Sequence, residues 1–227
     1  MKRFLKKVNR GLLLGAILTV ILIVVIIVTE VSFHTEVPTI RETVQAYLTD
    51  LTALNLSPDG VDLGERLTTE ETNTKKKELE ALLLNYWDAE TAPAGEFYMA
   101  IDDVRTAFEE NLSIPAHVVF QSAEISVPEN AIEVASAGPG YATVTVSLRS
   151  LSTTFKGDGD AFFWGPEYYA PTLTLDELLT SYGNGTYQGT YSMDLILEMH
   201  HVGGEWRITG CYGSVWLENK TALGGAQ

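Results

Sequence analysis

Cysteine is almost absent from the chain, because Cys211 is the only one among 227 residues. A single cysteine cannot form a disulfide within the chain, so a disulfide-held scaffold is excluded. An exported domain of this length would depend on its hydrophobic core, which 45% hydrophobic residues can supply. The lack of disulfides fits bacterial export better than a secretory pathway that favours them.

Basic residues are scarce outside the N-terminus. The chain has 30 acidic and 15 basic residues, for a net charge of −15. Five of the basic residues lie within residues 1–10, and no acidic residue precedes Glu30. The rest of the chain is therefore strongly acidic and repels phosphate groups, which proteins bind through Lys and Arg. This charge balance argues against nucleic acid as a partner.

The sequence also has no internal repeat, no low-complexity tract and no family-grade catalytic motif. The function therefore has to be inferred from where the chain resides and from the kind of domain that it forms.

One long apolar run is present, at residues 11–28, and it contains 18 residues without a charge. As a helix it would span roughly 27 Å, close to the hydrocarbon thickness of a bilayer. A cleaved signal peptide is the alternative, but its apolar region is usually about 7–15 residues long and ends at small residues. Here the bulky and charged VTEVSFHTEV follows. We predict an uncleaved single-pass anchor that binds the membrane through residues 11–28.

The positive-inside rule then sets the topology. It keeps the basic segment 1–10 in the cytoplasm and places the acidic remainder outside the cell membrane. We predict a short stalk at 29–36, an extracytoplasmic domain at 37–218 and a tail at 219–227.

Three helices are predicted first in this domain. Pro38 suits a first helical turn, and apolar residues then recur at spacings of three and four, at Ile40, Val44, Tyr47, Leu48 and Leu51. The turn-forming LNLSPDG ends this helix. A second helix is predicted within TTEETNTKKKELEALLLNYWDAE, with the lysines at 75–77 on a solvated face. Its apolar stripe is Leu79, Leu82, Leu83, Tyr86 and Trp87. The third is marked by Phe97, Ile101, Val104 and Phe108.

From residue 116 the period changes to two, which is typical of half-buried strands. Strands are predicted in HVVFQSAEISV, NAIEVAS and YATVTVSLRSLSTTF, followed by a short helix capped by Thr174 and by two strands around Gly203 and Gly204. Helices followed by mostly antiparallel strands predict an α+β domain.

The last two strands are predicted to form a hairpin with Gly203 and Gly204 in the turn. Val202 then faces Glu205 and His201 faces Trp206. His200 and His201 point to opposite faces, so they cannot both bind one metal from this strand. Continued alternation places one group on the core face, namely Met199, His201, Trp206, Ile208 and Tyr212. It places another on the wet face, namely Glu198, His200, Arg207, Thr209 and Cys211.

This hairpin, MDLILEMHHVGGEWRIT, resembles the last hairpin of the NTF2-like (cystatin-like) cone, in outline over residues 37–218. The resemblance implies helices packed on a curved, mostly antiparallel sheet whose core face also lines a pocket. It therefore makes His201, Trp206 and Tyr212 candidate ligand- or partner-binding residues. Membrane-anchored extracytoplasmic members of this class tend to be interaction domains, whereas soluble relatives include isomerases, dehydratases and ligand-binding proteins.

The segment FFWGPEYY, residues 162–169, has the most unusual local composition. Aromatic residues dominate interface energetics, so Trp164, Tyr168 and Tyr169 are candidates for a partner- or ligand-binding lip. The alternative is that the segment fills the mouth of the cone or covers a sheet edge. The nearby Asp158 and Asp160 do not continue into a calcium-loop pattern, because Phe162 and Phe163 follow.

No convergent catalytic set is visible, and we predict no cofactor and no bound metal. The expected function is a non-catalytic protein-interaction or scaffold module of the bacterial envelope, and its expected partner is another protein or a second copy of the chain in a homo-oligomer. The alternative is a small-molecule binder or an isomerase- or dehydratase-like enzyme that uses the cone interior. An interior filled by Phe120, Val146, Leu197 and Trp206 would argue against the enzyme.

Overall fold

The computed structural model describes residues 10–164, 174–182 and 185–223. The chain divides into two compact units, Met1–Thr39 and Ile40–Gln227. The first helix, α1 (Arg10–Leu54), contributes residues to both units. Pro38 lies inside α1, so the prediction that Pro38 opens a helix is wrong. No turn signal separates the apolar run from the amphipathic stretch, and the helix continues through both.

Among the described residues, one helix is long and apolar enough to cross a membrane, and this candidate runs from Leu14 to Leu54. Large apolar side chains from Leu14 to Ile27 are each at least half exposed. A side chain of this kind needs an apolar surrounding that the first unit itself does not supply. Length and composition are thus compatible with a transmembrane helix, as the sequence predicted.

In the second unit, the predicted apolar stripe of α1 is confirmed. Its members are at most 1% exposed, namely Ile40, Val44, Tyr47, Leu48 and Leu51. Asn55 follows the helix and its Nδ2 donates to the carbonyl of Leu51 (2.9 Å). The predicted turn comes next, with Gly60 at φ +87°, a conformation that favours glycine.

The second predicted helix is α2 (Thr69–Tyr86). Thr68 caps it in a capping box with Glu71, which satisfies two backbone donors at the helix start. Leu79, Leu82 and Leu83 are buried as predicted. The prediction that the lysines lie on a solvated face is wrong for Lys75, which is only 8% exposed. Its ammonium group donates to the carbonyl of Leu54 (3.2 Å) and to Glu78 (2.7 Å).

The third helix, α3 (Ile101–Ser113), starts later than the apolar spacing predicted. Val104 and Phe108 are buried, but Phe97 precedes the helix and is 80% exposed. The short helix α4 (Leu175–Tyr182) is capped as predicted, because the hydroxyl of Thr174 accepts from the amide of Glu177 (3.3 Å).

Five strands form one antiparallel sheet. They are β1 (Val118–Ile125), β2 (Ile132–Gly138), β3 (Tyr141–Gly157), β4 (Thr186–Val202) and β5 (Glu205–Leu223). The order is β1-β3-β4-β5, and β2 also pairs with β3. The predicted α+β class with an antiparallel sheet is confirmed.

Alternation along β3 divides the sheet into an inner and an outer face. Ala142, Val144, Val146 and Leu148 are at most 2% exposed, as the period of two predicted. Phe120, Leu197 and Trp206 are also buried, at 3%, 0% and 5% exposure. The inner face is therefore filled by side chains, including the four that the sequence singled out.

The β4–β5 register follows the prediction for the first four pairs and then departs from it. Met199 pairs with Ile208, but Glu198 pairs with Gly210, so Thr209 is an extra residue on β5. Such a bulge exchanges the two faces for the residues that follow, here as far as the next register shift after Leu217. Cys211 is consequently buried (1% exposed), and Tyr212 is 51% exposed. Their predicted faces are wrong for this reason.

Candidate functional site

Residues 87–99, which precede α3, run beside the first half of β5. The amide of Asp88 donates to the carbonyl of Ile208 (2.8 Å), and Met99 exchanges two backbone hydrogen bonds with Cys211 (2.9 and 3.2 Å). Between these points, the amide of Ala94 donates to the carboxylate of Glu198 (2.7 Å). We call this the 87–99 segment; it covers the outer face of the hairpin near the histidines.

His200 lies at the centre of a polar cluster under this segment. Its Nδ1 is 3.2 Å from Asp88 Oδ2 and 3.3 Å from Thr91 Oγ1. The ring of Tyr141, its register partner on β3, stacks on it at a centroid distance of 4.5 Å and an interplanar angle of 6°. The Asp88 side chain is 7% exposed and that of His200 is 23% exposed.

The electrostatics of the cluster favour an ionised carboxylate. Burial alone would raise the pKa of Asp88, but hydrogen bonds from Thr91, the Glu90 amide and His200 outweigh it and lower that pKa. Arg207, which pairs with His200 across the hairpin, adds a cation on the same face. Its guanidinium donates to the carbonyl of Leu84 (2.7 Å) and to Glu205 (2.6 Å).

The geometry of the cluster does not match a catalytic triad. In a triad the carboxylate holds one imidazole nitrogen and the nucleophile lies on the other. Here both Asp88 and Thr91 approach the same atom, Nδ1 of His200. The arrangement instead fastens the 87–99 segment to the hairpin.

His201, the other histidine, lies on the inner side, as alternation predicted. Its ring centroid is 5.2 Å from that of Trp206, its register partner. His201 is half-buried and Trp206 is buried. Neither His201 nor Trp206 lines any of the three clefts that are described below.

Because of the bulge, Cys211 lies in the core and Tyr212 lies on the outer face. Burial raises the pKa of the Cys211 thiol well above its usual range, which suppresses the thiolate. The ring of Tyr212 lies 6.4 Å from that of Tyr98, in the 87–99 segment. Tyr212 is thus an outer-face residue rather than part of the core-face group.

The aromatic segment is packed at its start. Phe162, Phe163 and Trp164 are each 5% exposed. Phe162 contacts the rings of Phe120 (5.6 Å) and Tyr191 (5.5 Å). Trp164, the first candidate of the predicted lip, lies in a buried position. Tyr168 and Tyr169 lie outside the described residues.

Two neighbouring clefts lie near the end of α1. The smaller has a volume of about 110 Å³ and mostly apolar walls, including Phe108, Phe120 and Phe163. The larger has a volume of about 770 Å³ and lies between the end of α1 and one face of α2. A third, at Lys76, Leu79 and Glu109, measures about 440 Å³.

In the described part of the chain, no group of three or more His, Cys, Asp or Glu side chains is placed to hold a metal ion. Sequence reasoning missed Asp88 and Thr91, which lie 112 and 109 residues from His200. No local pattern marks them, because their role arises only when the 87–99 segment folds onto the hairpin.

Comparisons of the chain with protein-family models, curated proteins and solved structures gave no match.

Proposed function

We propose that this protein is a single-pass membrane protein of the bacterial envelope whose extracytoplasmic domain is a non-catalytic protein-interaction or scaffold module. Residues 11–28 would be the anchor, with the basic N-terminus in the cytoplasm. The domain would be an NTF2-like cone, a proposal supported by helices that precede an antiparallel sheet and by the long final hairpin around Gly203 and Gly204.

One observation carries the proposal: a continuously apolar helical segment is joined to a domain whose inner sheet face is filled. The large apolar side chains from Leu14 to Ile27 are at least half exposed, whereas Val146 and Leu197 are fully buried. The exposed segment favours a membrane surrounding. The filled face supports a role for the domain surface rather than for an interior ligand site.

The enzyme alternative lacks comparable support. It requires an open interior with His201 and a carboxylate converging on it. Phe120, Val146, Leu197 and Trp206 are all buried where that space would be. The carboxylate–histidine pair that does exist uses His200 on the outer face.

Photo-cross-linking in the native membrane tests the proposal. A photoreactive amino acid at Tyr212, which is 51% exposed, should give an adduct with one envelope protein that mass spectrometry identifies. The matched control places the same probe at Glu129, an exposed residue before β2. Absence of a protein adduct at Tyr212, at Phe97 and at Leu84 alike would count against a scaffold.

A further inference from the structure

The larger cleft near the end of α1 is an open groove whose walls combine acidic and apolar residues. We call it the acidic groove. Its lining includes the apolar residues Ala53, Ala81 and Leu82 and five carboxylates, which we call the rim carboxylates, at Asp50, Asp59, Glu70, Glu71 and Glu78. The α2 residues that line it run from Glu70 to Asn85. That distance is about 22 Å along a helix, the reach of six or seven extended residues.

Among the described residues, Glu78 is the one of these five carboxylates that has an ion-pair partner, and the N-terminus of α2 partly offsets the charge of Glu70 and Glu71 in its first turn. Among the described residues that line the groove, Lys75 is the single basic one, and it already pairs with Glu78. Asp50 accepts a hydrogen bond from the hydroxyl of Tyr86 (2.7 Å), and Glu71 is held in the capping box of α2. Within the described part of the chain, Asp59 and Glu70 have no ion-pair partner.

The smaller cleft adjoins this groove, and we call it the apolar pocket. The two share five lining residues, namely Leu54, Leu56, Ser57, Pro58 and Lys75. The apolar pocket measures about 110 Å³. Two of its polar side chains are engaged within the protein. Asn55 bonds the backbone of Phe163 through both amide atoms (2.7 Å each), and the Ser57 hydroxyl accepts from the amide of Phe120 (3.1 Å). Most of the other lining residues are apolar. The pocket therefore suits an apolar side chain.

We propose that the acidic groove and the apolar pocket together bind a basic peptide segment of a partner protein. Lysine or arginine side chains of the segment pair with the rim carboxylates, and one aliphatic side chain fills the apolar pocket. This inference rests on the proposed interaction function and names the chemistry of the partner.

Charge and shape favour a peptide over a small cation. A metal ion needs several ligands around one point, and no group of three or more such side chains is placed to hold one among the described residues. The rim carboxylates instead lie on the end of α1 (Asp50), in the turn after it (Asp59) and along α2 (Glu70, Glu71 and Glu78), which matches charges spaced along a chain. The adjoining pocket adds an anchor point of the kind that dominates peptide interfaces.

The probe is a fluorescent seven-residue peptide with a central leucine flanked by alanines and by two lysines at each end. The full chain is reconstituted in zwitterionic lipid nanodiscs, and binding is measured by fluorescence anisotropy against empty nanodiscs. We expect saturable binding that weakens about three- to tenfold in an Asp59→Asn, Glu70→Gln double variant, because two exposed ion pairs are lost. Replacing the peptide leucine with alanine should weaken binding about tenfold.

The matched control is a Glu124→Gln, Glu133→Gln double variant, which changes the net charge equally at exposed residues outside the groove. It should bind the peptide like the parent. Equal affinity of both double variants would overturn the proposal, and so would binding that is indifferent to the leucine. Saturable calcium binding that displaces the peptide and is lost in the groove variant would also overturn it, in favour of a cation site.

These outcomes separate this inference from the proposed function. If a partner is captured by cross-linking at Tyr212 but the lysine peptide does not bind, the scaffold function stands and the groove assignment fails. If the peptide binds through the groove and no envelope protein is captured, the assignment of the groove as a peptide-binding surface stands and the scaffold function fails.

Discussion

His200 and His201 are adjacent in the sequence, yet they have unrelated surroundings. His200 contacts Asp88 and Thr91 under the 87–99 segment, whereas His201 lies beside Trp206. Strand alternation separates the two side chains, but it does not supply the partners of either. The partners of a side chain therefore decide its role. Here the contacts with Asp88 and Thr91 make His200 a residue that holds the 87–99 segment on the hairpin.

Asp88→Asn tests that fastening. The lowered pKa of Asp88 means that its ionised form stabilises the fold above the unfolded value of about 3.9, and that this stability is lost as pH falls through the lower folded pKa. We expect the variant to lose about 1–2 kcal/mol of unfolding free energy at pH 7. The difference in unfolding free energy between the variant and the parent should shrink below a pH of about 4. Urea unfolding followed by tryptophan fluorescence measures both, with Glu129→Gln as control; a difference independent of pH would refute the assignment.

Phe162→Ala tests whether the start of the aromatic segment fills the core. Phe162 is 5% exposed and contacts two rings, so its truncation should cost about 3–5 kcal/mol. Phe97→Ala removes the same side chain from a site that is 80% exposed and should change stability by less than about 0.5 kcal/mol. The same urea titration compares them. A similar small effect for both variants would mean that Phe162 does not fill the core.

At the element scale, β5 shows how one residue redirects a strand. Thr209 is inserted between the pairs Met199–Ile208 and Glu198–Gly210. The glycine that follows accommodates a close approach, because a Cβ on Gly210 would lie 2.6 Å from the side chain of Pro93. The glycine thus lets the 87–99 segment lie close to the strand, and the bulge places the Cys211 side chain in the core.

The bulge predicts an unreactive thiol. Cys211 should react with a disulfide reagent only when the chain unfolds, because it is 1% exposed and its pKa is raised by burial. A Ser214→Cys variant adds an exposed thiol further along β5. We expect the added thiol to react faster by on the order of a hundredfold or more. Equal rates for the two thiols would mean that the bulge is absent and Cys211 faces solvent.

At the scale of the whole molecule, charge and hydropathy are distributed unevenly. The first ten residues carry five basic residues, the apolar helix follows, and the acidic residues all lie beyond it. The proposed topology uses this asymmetry, because basic flanks remain cytoplasmic. The acidic surface of the second unit would then face outward, where the acidic groove is available to a basic partner.

Cysteine labelling in intact spheroplasts tests this topology. Ser136→Cys, at an exposed position in β2, should react with a membrane-impermeant maleimide before lysis. Lys2→Cys should react only after lysis, because the basic segment would be cytoplasmic. The parent chain, with its buried thiol, sets the background. Labelling with the opposite pattern would invert the topology, and labelling of both variants before lysis would contradict a membrane-spanning segment.

The sequence by itself determined the features that depend on neighbours a few residues away. The 3.6-residue stripe of α1, the alternation of β3, the apolar run and the turn at Gly203 and Gly204 all follow from such local patterns. Only the tertiary structure decided the bulge at Thr209, the burial of Lys75 and the pairing of Asp88 with His200. The reason is that these depend on groups far apart in the chain, which leave no period in the sequence and meet only when the elements pack.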